Sequence, residues 1–278
     1  MQIFMKSDVG LVRHTNQDDC AVGYLPNGAW AVVCDGMGGV QGGNVASALA
    51  VDLISSQIAS SYRPGMGRKS IRNMLEVAFD AANMSIFETS CDIDGLRGMG
   101  TTATVVVVEG DTAYIAHAGD SRAYLISKDA ISQVTRDHSI VQEMVEAGEL
   151  TQSQARTHPN KHMITRALGV VHEVEMDYCE VSVQDGDVLI LCTDGLSNYL
   201  EADEILQAER KGLADLCDRL VREANNRGCL LYTSRHPCGR ICQSSAGAVP
   251  TVPAARRRDG VHHRRVSRYL YRAQNAGE

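Results

Sequence analysis

The chain has 278 residues, of which 44% are apolar and 22% charged, and its formal net charge is −7. That apolar fraction is enough for a folded core, which excludes a chain that is disordered throughout. Its apolar runs, such as 105–108 and 188–192, are far shorter than the roughly 20 residues that a membrane helix needs. The first eight residues lack the apolar stretch of a signal peptide. We therefore expect a cytoplasmic protein without a membrane span.

Charge is distributed unevenly along the chain. Residues 229–278 contain nine Arg, one Asp and one Glu, a balance of +7, whereas residues 1–228 have a balance of −14. An acidic body argues against nucleic-acid binding, which needs Lys and Arg against the phosphates. The change in composition predicts one domain over 1–228, followed by a basic tail over 229–278.

Short apolar segments bounded by turn residues predict strands on both sides of a pair of helices. The predicted strands are 3–6, 20–24, 30–34, 102–109, 112–118, 122–126, 178–183 and 187–193. Helical spacing predicts helices over 46–58, 71–86, 139–156 and 203–225, with Ser70 and Thr151 as N-caps. Because the helices do not alternate with the strands, we expect segregated α+β layers and not a doubly wound parallel sheet.

Four acidic residues stand at the ends of predicted strands. They are Asp18, Asp35, Asp120 and Asp194. Taken alone, an Asp-Gly pair indicates a turn more often than a metal site, because both residues tolerate positive φ. Repetition of the pattern favours carboxylates gathered at one edge of the fold, where they need a compensating cation. Hard oxygen ligands suit Mg²⁺ or Mn²⁺, and two such ions about 4 Å apart can polarise a water and hold a phosphoryl group.

Arg13 lies five residues before Asp18. A guanidinium group is the usual bidentate ligand of phosphate in proteins. On its own this arginine would be interpreted as a surface residue, and its position beside Asp18 favours a phosphate-binding role.

Six motifs, in this order, resemble those of the bacterial metal-dependent protein serine/threonine phosphatases, the PPM or type-2C family. The motifs are Arg13-x-x-Asn16-Gln17-Asp18, Asp35-Gly36-Met37-Gly38-Gly39, Met99-Gly100-Thr101-Thr102, Gly119-Asp120-Ser121-Arg122, His158-Pro159 with 164–169, and Thr193-Asp194-Gly195-Leu196. The resemblance covers residues 1–228. It implies an α+β fold in which an antiparallel β-sandwich is flanked by helices, in α-β-β-α layers.

The resemblance also implies a role for particular residues. The implied catalytic residues are Arg13, Asp18 and Asp35, and the implied metal ligands are Asp18, Asp35, Gly36, Asp120 and Asp194. Asp35 would bridge two Mn²⁺ or Mg²⁺ ions, one of them also held by the carbonyl of Gly36, and Asp194 would bind the other. Asp120 and Asp194 would form a third ion site, Asp18 would hold metal-bound water, and Arg13 would bind the substrate phosphate. Residues 137–169 would form a flap beside the active site.

Implied substrates are phosphoserine and phosphothreonine on proteins, and the implied partner is a serine/threonine kinase that the phosphatase opposes. We also expect a monomer. Two other functions fit the sequence less well. One is a metal-poor pseudophosphatase that only binds phosphoproteins, and the other is a relative that acts on a sigma-factor regulator. His162 is interpreted as a surface residue of the flap.

The tail departs from the family pattern. After the last helix the family continues with Gly-Ser-Asp-Asn, whose Asp is a metal ligand, and then with a closing strand; here Cys229 and an Arg-rich segment follow instead. We therefore expect one carboxylate and the last core strand to be missing. The tail is interpreted as non-native sequence, as after a frameshift, or as a disordered basic extension. A zinc module is a third alternative, but Cys238, Cys242, His262 and His263 match no zinc spacing.

Overall fold

A computed structural model describes residues 1–11, 15–38, 42–233 and 269–272. The strands are β1 (Gln2–Met5), β2 (Asp18–Leu25), β3 (Gly28–Met37), β4 (Gly100–Thr101), β5 (Ala103–Glu109), β6 (Thr112–Ala118), β7 (Arg122–Ser127), β8 (Ala130–Gln133), β9 (Asp177–Ser182), β10 (Val188–Cys192) and β11 (Tyr269–Arg272). The helices are α1 (Gly42–Ser61), α2 (Arg68–Asp92), α3 (Ile140–Glu146), α4 (Gln152–Thr157), α5 (Asp194–Ser197), α6 (Ala202–Glu209) and α7 (Leu216–Thr233).

Two antiparallel sheets lie in the middle of the fold. One has the strand order β1-β11-β10-β7-β8, and the other has the order β2-β3-β5-β6-β9, with β4 paired to the end of β3. The expected α+β class and antiparallel sandwich are therefore confirmed.

Side chains of β3 alternate between two buried environments, because successive residues of a strand point to opposite faces. Ala31 and Val33 pack in the core between the sheets, together with Leu189 of β10. Trp30 and Val32 pack on the other face, against α1 and α2. The outer face of β10 packs against α5, α6 and α7 in a third cluster. This order of layers is the expected α-β-β-α arrangement.

A closing strand is present, which corrects the expectation that the last core strand would be missing. Residues 269–272 pair antiparallel with β1 on one side and with β10 on the other. The segment Tyr-Leu-Tyr-Arg contains strong β-formers, and the gap between β1 and β10 offers two unpaired edges. Sequence patterning missed it because four residues are too short to show a period.

Several helix boundaries differ from those predicted. The N-cap of α2 is Gly67 and not Ser70. The predicted helix over 139–156 is two short helices, the second of which begins with the expected capping box of Thr151 and Gln154. The predicted last helix is divided into α6 and α7, and Gly212 in the break has a φ of +113° that interrupts a helix. Among the described residues, no helix is long and apolar enough to cross a membrane.

Candidate metal-binding active site

Asp18 and Asp35 occupy directly opposite positions of the β2–β3 ladder, at the end farthest from the hairpin turn. The backbone of Asp35 is held on its other side by β4 and the residue after it. Its N–H donates to Thr102 Oγ1 at 2.9 Å, and its carbonyl accepts from Thr102 N–H at 2.9 Å and Thr101 Oγ1 at 3.0 Å. Asp35 is therefore fixed by neighbours on both sides of the strand.

Gly36 lies against the start of α1. A Cβ at Gly36 would stand 1.9 Å from the carbonyl oxygen of Gly43, and a Cβ at Gly43 would stand 2.6 Å from the carbonyl oxygen of Gly36. The Gly36 N–H donates to the carbonyl of Gln17 at 3.0 Å. The glycine after Asp35 is thus required by the close approach of two backbones.

Asp194 and Asp120 come from the ends of two further strands. Asp194 is the first residue of α5, directly after β10, and its Oδ2 accepts from Asn198 Nδ2 at 2.9 Å. Asp120 lies in the turn between β6 and β7. The hydroxyl of the preceding Thr193 donates a hydrogen bond to Asp18 Oδ2 at 3.0 Å, which links the end of β10 to the start of β2.

The four carboxylates act on one another. Burial raises the pKa of Asp35 well above its usual value, and the charges of Asp18, Asp194 and Asp120 raise it further. Burial also raises the pKa of Asp120 to about 7, with the charge of Asp194 adding to the effect. Like charges therefore disfavour the ionised forms of Asp35 and Asp120.

The chemistry of this donor set fits a divalent cation. Carboxylate oxygens and a backbone carbonyl are hard ligands of the kind that Mg²⁺ and Mn²⁺ prefer. Within the described ranges, no three His, Cys, Asp or Glu side chains are gathered into a site that could hold an ion as it stands. The charges of Asp18, Asp194 and Asp120 nevertheless all act on Asp35, and the charge of Asp194 acts on Asp120.

Two depressions adjoin the carboxylates, and Asp194 lines both of them. One has a volume of about 240 Å³ and also includes Asp18 and His162. The other, of about 410 Å³, lies under the flap and includes Asp120 and Lys161. His162 is 60% exposed, as expected of a surface residue, and its Nδ1 lies 3.7 Å from Asp194 Oδ2. A ligand over Asp194 could therefore touch both the strand ends and the flap.

Some of the sequence-based predictions lie outside the described residues. Arg13 is one of them, and so are the tail residues named as zinc ligands. Sequence reasoning included Thr102, Ser121 and Thr193 in its motifs and His138 in the flap, but it assigned none of them the supporting contacts that the structure shows. These contacts join residues far apart in the sequence, so no local pattern could reveal them.

The chain resembles known proteins over most of its length. A family model described as Protein phosphatase 2C matches residues 12–231. A serine/threonine phosphatase, stp, from Listeria monocytogenes is 36% identical over 232 residues, which are 82% of this chain and 91% of the relative. Protein phosphatase PhpP from Streptococcus pneumoniae is 37% identical over 235 residues, 83% of this chain and 94% of the relative.

Solved structures agree in fold. The serine/threonine phosphatase of S. agalactiae matches with a TM-score of 0.76 and 34% identity, over 82% of this chain and 94% of that one. A catalytic domain of the phosphatase PstP, solved with two manganese ions, matches with a TM-score of 0.72 and 32% identity, over 82% of this chain and 92% of that one. This chain belongs to the protein phosphatase 2C family of metal-dependent protein serine/threonine phosphatases.

Proposed function

We propose that this protein hydrolyses phosphoserine and phosphothreonine on other proteins, with Mn²⁺ or Mg²⁺ as cofactor. The observation that carries the proposal is the half-buried carboxylate of Asp35, whose pKa is raised by burial and by the charges of three other carboxylates from separate strand ends. Such a cluster is a typical site for cations that act on a phosphoryl group. The relatives' names support the same reaction and favour activity over a binding-only pseudophosphatase.

Two or three ions would be held by Asp35, the Gly36 carbonyl, Asp194 and Asp120. When bound, these ions lower the pKa of the attacking water and neutralise charge on the phosphoryl group. The two manganese ions of the PstP structure support this ligand chemistry.

The remaining site residues orient and bind the reactants. Asp18, whose Oδ2 is oriented by the hydroxyl of Thr193, would accept a hydrogen bond from the attacking water and so align it. Arg13 would hold two phosphate oxygens through its planar guanidinium and keep the phosphorus in line with that water. Because hydrolysis then needs no covalent enzyme intermediate, no nucleophilic side chain is required.

The biological setting follows from the same reaction. A phosphatase of this kind would oppose a serine/threonine kinase in the cytoplasm, and it would act as a monomer. The substrates would be phosphorylated proteins, which the names of the relatives support.

Residues 1–228 would form the catalytic domain, and 229–278 would be a basic segment foreign to it. Two features of the sequence support this division: the net charge changes from negative to positive at residue 229, and the tail contains Arg but no Lys. The family match also ends close by, at residue 231. The pairing of 269–272 with β1 and β10 indicates that a small part of the tail nevertheless contributes to the sheet.

The test is hydrolysis of a phosphothreonine peptide by the full chain, with Mn²⁺ and then with EDTA. We expect turnover only with metal, and its loss in Asp35→Asn. Asp80→Asn, which changes an exposed carboxylate on α2, is the matched control and should retain activity. Full activity of Asp35→Asn, or equal activity in EDTA, would contradict the proposal.

A further inference from the structure

His138 and Gly119 are joined by two reciprocal hydrogen bonds. The His138 N–H donates to the carbonyl of Gly119 at 2.7 Å, and the Gly119 N–H donates to His138 Nδ1 at 3.0 Å. His138 is only 2% exposed. Gly119 immediately precedes Asp120, so the imidazole holds the backbone of the turn that carries this carboxylate.

The conformation of that turn is restrictive. Gly119 has a φ of +116°, and a Cβ there would stand 2.5 Å from Thr102 Cγ2. On the other side of Asp120, Arg122 donates to both oxygens of Asp137, with its Nη2 2.6 Å from Oδ2. The neighbours Asp137 and His138 therefore hold the chain both before and after Asp120.

The same segment begins the flap. The carbonyl of His138 accepts from Thr165 N–H at 2.8 Å, and Ser139 forms a bridge with Ile164 and accepts from the backbone of α3 as its N-cap. These bonds join the two ends of the flap at the residue that holds the turn of Asp120.

The orientation of the ring follows from its partners. Because Nδ1 accepts from Gly119, the proton of the neutral ring lies on Nε2. Nε2 stands 3.1 Å from Asp177 Oδ2, to which it donates, and also 3.1 Å from Arg166 Nη1, a second donor that faces the same carboxylate. Asp177 also accepts from Arg166 Nη1 at 2.5 Å, at the end of the flap.

We propose that His138 is a positioning residue that fixes Asp120 for metal binding through the acceptor Nδ1 and Gly119, and couples that turn to the flap. The inference rests on the ligand role given to Asp120 in the proposed function. Groups that orient ligands in this way change metal affinity by roughly 10- to 100-fold when they are removed.

Two substitutions separate the two nitrogens of the ring. His138→Asn keeps an acceptor at the position of Nδ1 and loses the contact to Asp177, whereas His138→Gln places its amide near Nε2 and loses the acceptor for Gly119. Mn²⁺ affinity of the full chain is measured by titration calorimetry, below the melting temperature of every variant. We expect at least about tenfold weaker Mn²⁺ binding in His138→Gln and near wild-type binding in His138→Asn. His172→Gln, at an exposed position, is the control for the substitution itself.

A double-mutant cycle tests the path of the effect. If His138 acts through Asp120, then His138→Gln causes no further loss of Mn²⁺ affinity in the Asp120→Asn background. Equal losses in His138→Asn and His138→Gln, an undiminished loss in that background, or wild-type affinity in both variants would each overturn the proposal. A wild-type chain that binds Mn²⁺ but leaves the phosphothreonine peptide intact would contradict only the proposed function.

Discussion

Asp18 and Asp35 lie directly opposite each other on adjacent antiparallel strands, and both are half-buried. Like charges in such a pair destabilise a sheet. Repulsion between these two carboxylates therefore opposes folding, and a bound cation would reduce it.

The first prediction concerns the stability of the metal-free protein. Burial and the charges of Asp18 and Asp194 raise the pKa of Asp35, which means that its ionised form is disfavoured in the folded state. Asp35→Asn removes this cost, so in EDTA at neutral pH we expect its melting temperature to equal or exceed that of the wild type. Calorimetry checks this, and a clearly lower melting temperature would indicate that the carboxylate stabilises the apo fold.

The second prediction concerns addition of the metal. A ligand that binds only the folded state stabilises it by about 2.7 kcal/mol at a hundred times its dissociation constant. We expect Mn²⁺ to raise the melting temperature of the wild type and to raise that of Asp35→Asn much less. Melting temperatures in Ca²⁺-free buffer with EDTA give the baseline. The melting temperature of Asp80→Asn should rise with Mn²⁺ as that of the wild type does. An equal response of Asp35→Asn would exclude Asp35 as a ligand.

A third prediction follows from a buried histidine. Burial, together with the charge of His138, whose ring is stacked with centroids 4.9 Å apart, lowers the pKa of His117 to about 3. The ring faces the hydroxyl of Thr104 and the carbonyl of Arg136. Because the unfolded chain binds this proton near pH 6.5 and the folded chain does not until about pH 3, stability falls as the pH falls between these values.

The expected contribution of His117 is about 2 kcal/mol of unfolding free energy lost between pH 7 and pH 5. Urea unfolding at several pH values should give a shallower pH dependence for His117→Asn. The control His172→Gln should retain the wild-type slope. An unchanged slope in His117→Asn would mean that another group causes the acid sensitivity.

The fourth prediction concerns Asn83, which is 2% exposed on α2. Its Oδ1 accepts from Gly169 N–H at 2.7 Å, and its Nδ2 donates to the carbonyls of Val171 and His172 at 3.1 and 2.9 Å. Asn83→Ala leaves buried backbone groups without partners, so we expect a loss of about 2–4 kcal/mol of unfolding free energy. Urea unfolding checks this loss, and limited proteolysis should cleave faster near residue 170.

Asn73→Ala is the matched control, because Asn73 is exposed on the same helix. It should change the unfolding free energy by less than about 0.5 kcal/mol. Equal effects of the two substitutions would show that the bonds from Asn83 to the loop do not stabilise the fold.

The sequence predicted most strands and both long N-terminal helices, because these depend on local periodicity, whereas the layer order was implied by the family resemblance. The carboxylates at strand ends were also recognisable from their spacing. The hydrogen bonds that hold the turn of Asp120 could not be recognised from the sequence. His138 lies 19 positions from Gly119, and no local pattern indicates a contact over that separation. The strand at 269–272 was missed for a related reason. It is a strand because it pairs with β1 and β10, which are far away in the sequence.

The last prediction tests whether the tail belongs to the sheet. Leu270 pairs with Phe4 of β1 on one side and with Ile190 of β10 on the other. Proline lacks the N–H of a ladder hydrogen bond and is excluded from central strands, so Leu270→Pro should separate β1 from β10. We expect a lower melting temperature and more aggregation, because two strand edges lose their partner. Gln274→Pro, beyond the described strand, is the control. A chain in which Gly-Ser-Asp-Asn and a β-strand replace residues 229–278 should exceed the wild type in solubility and Mn²⁺ affinity, since it adds a carboxylate as well as a longer strand. If Leu270→Pro matches the wild type in melting temperature and solubility, the tail strand contributes nothing to the sheet.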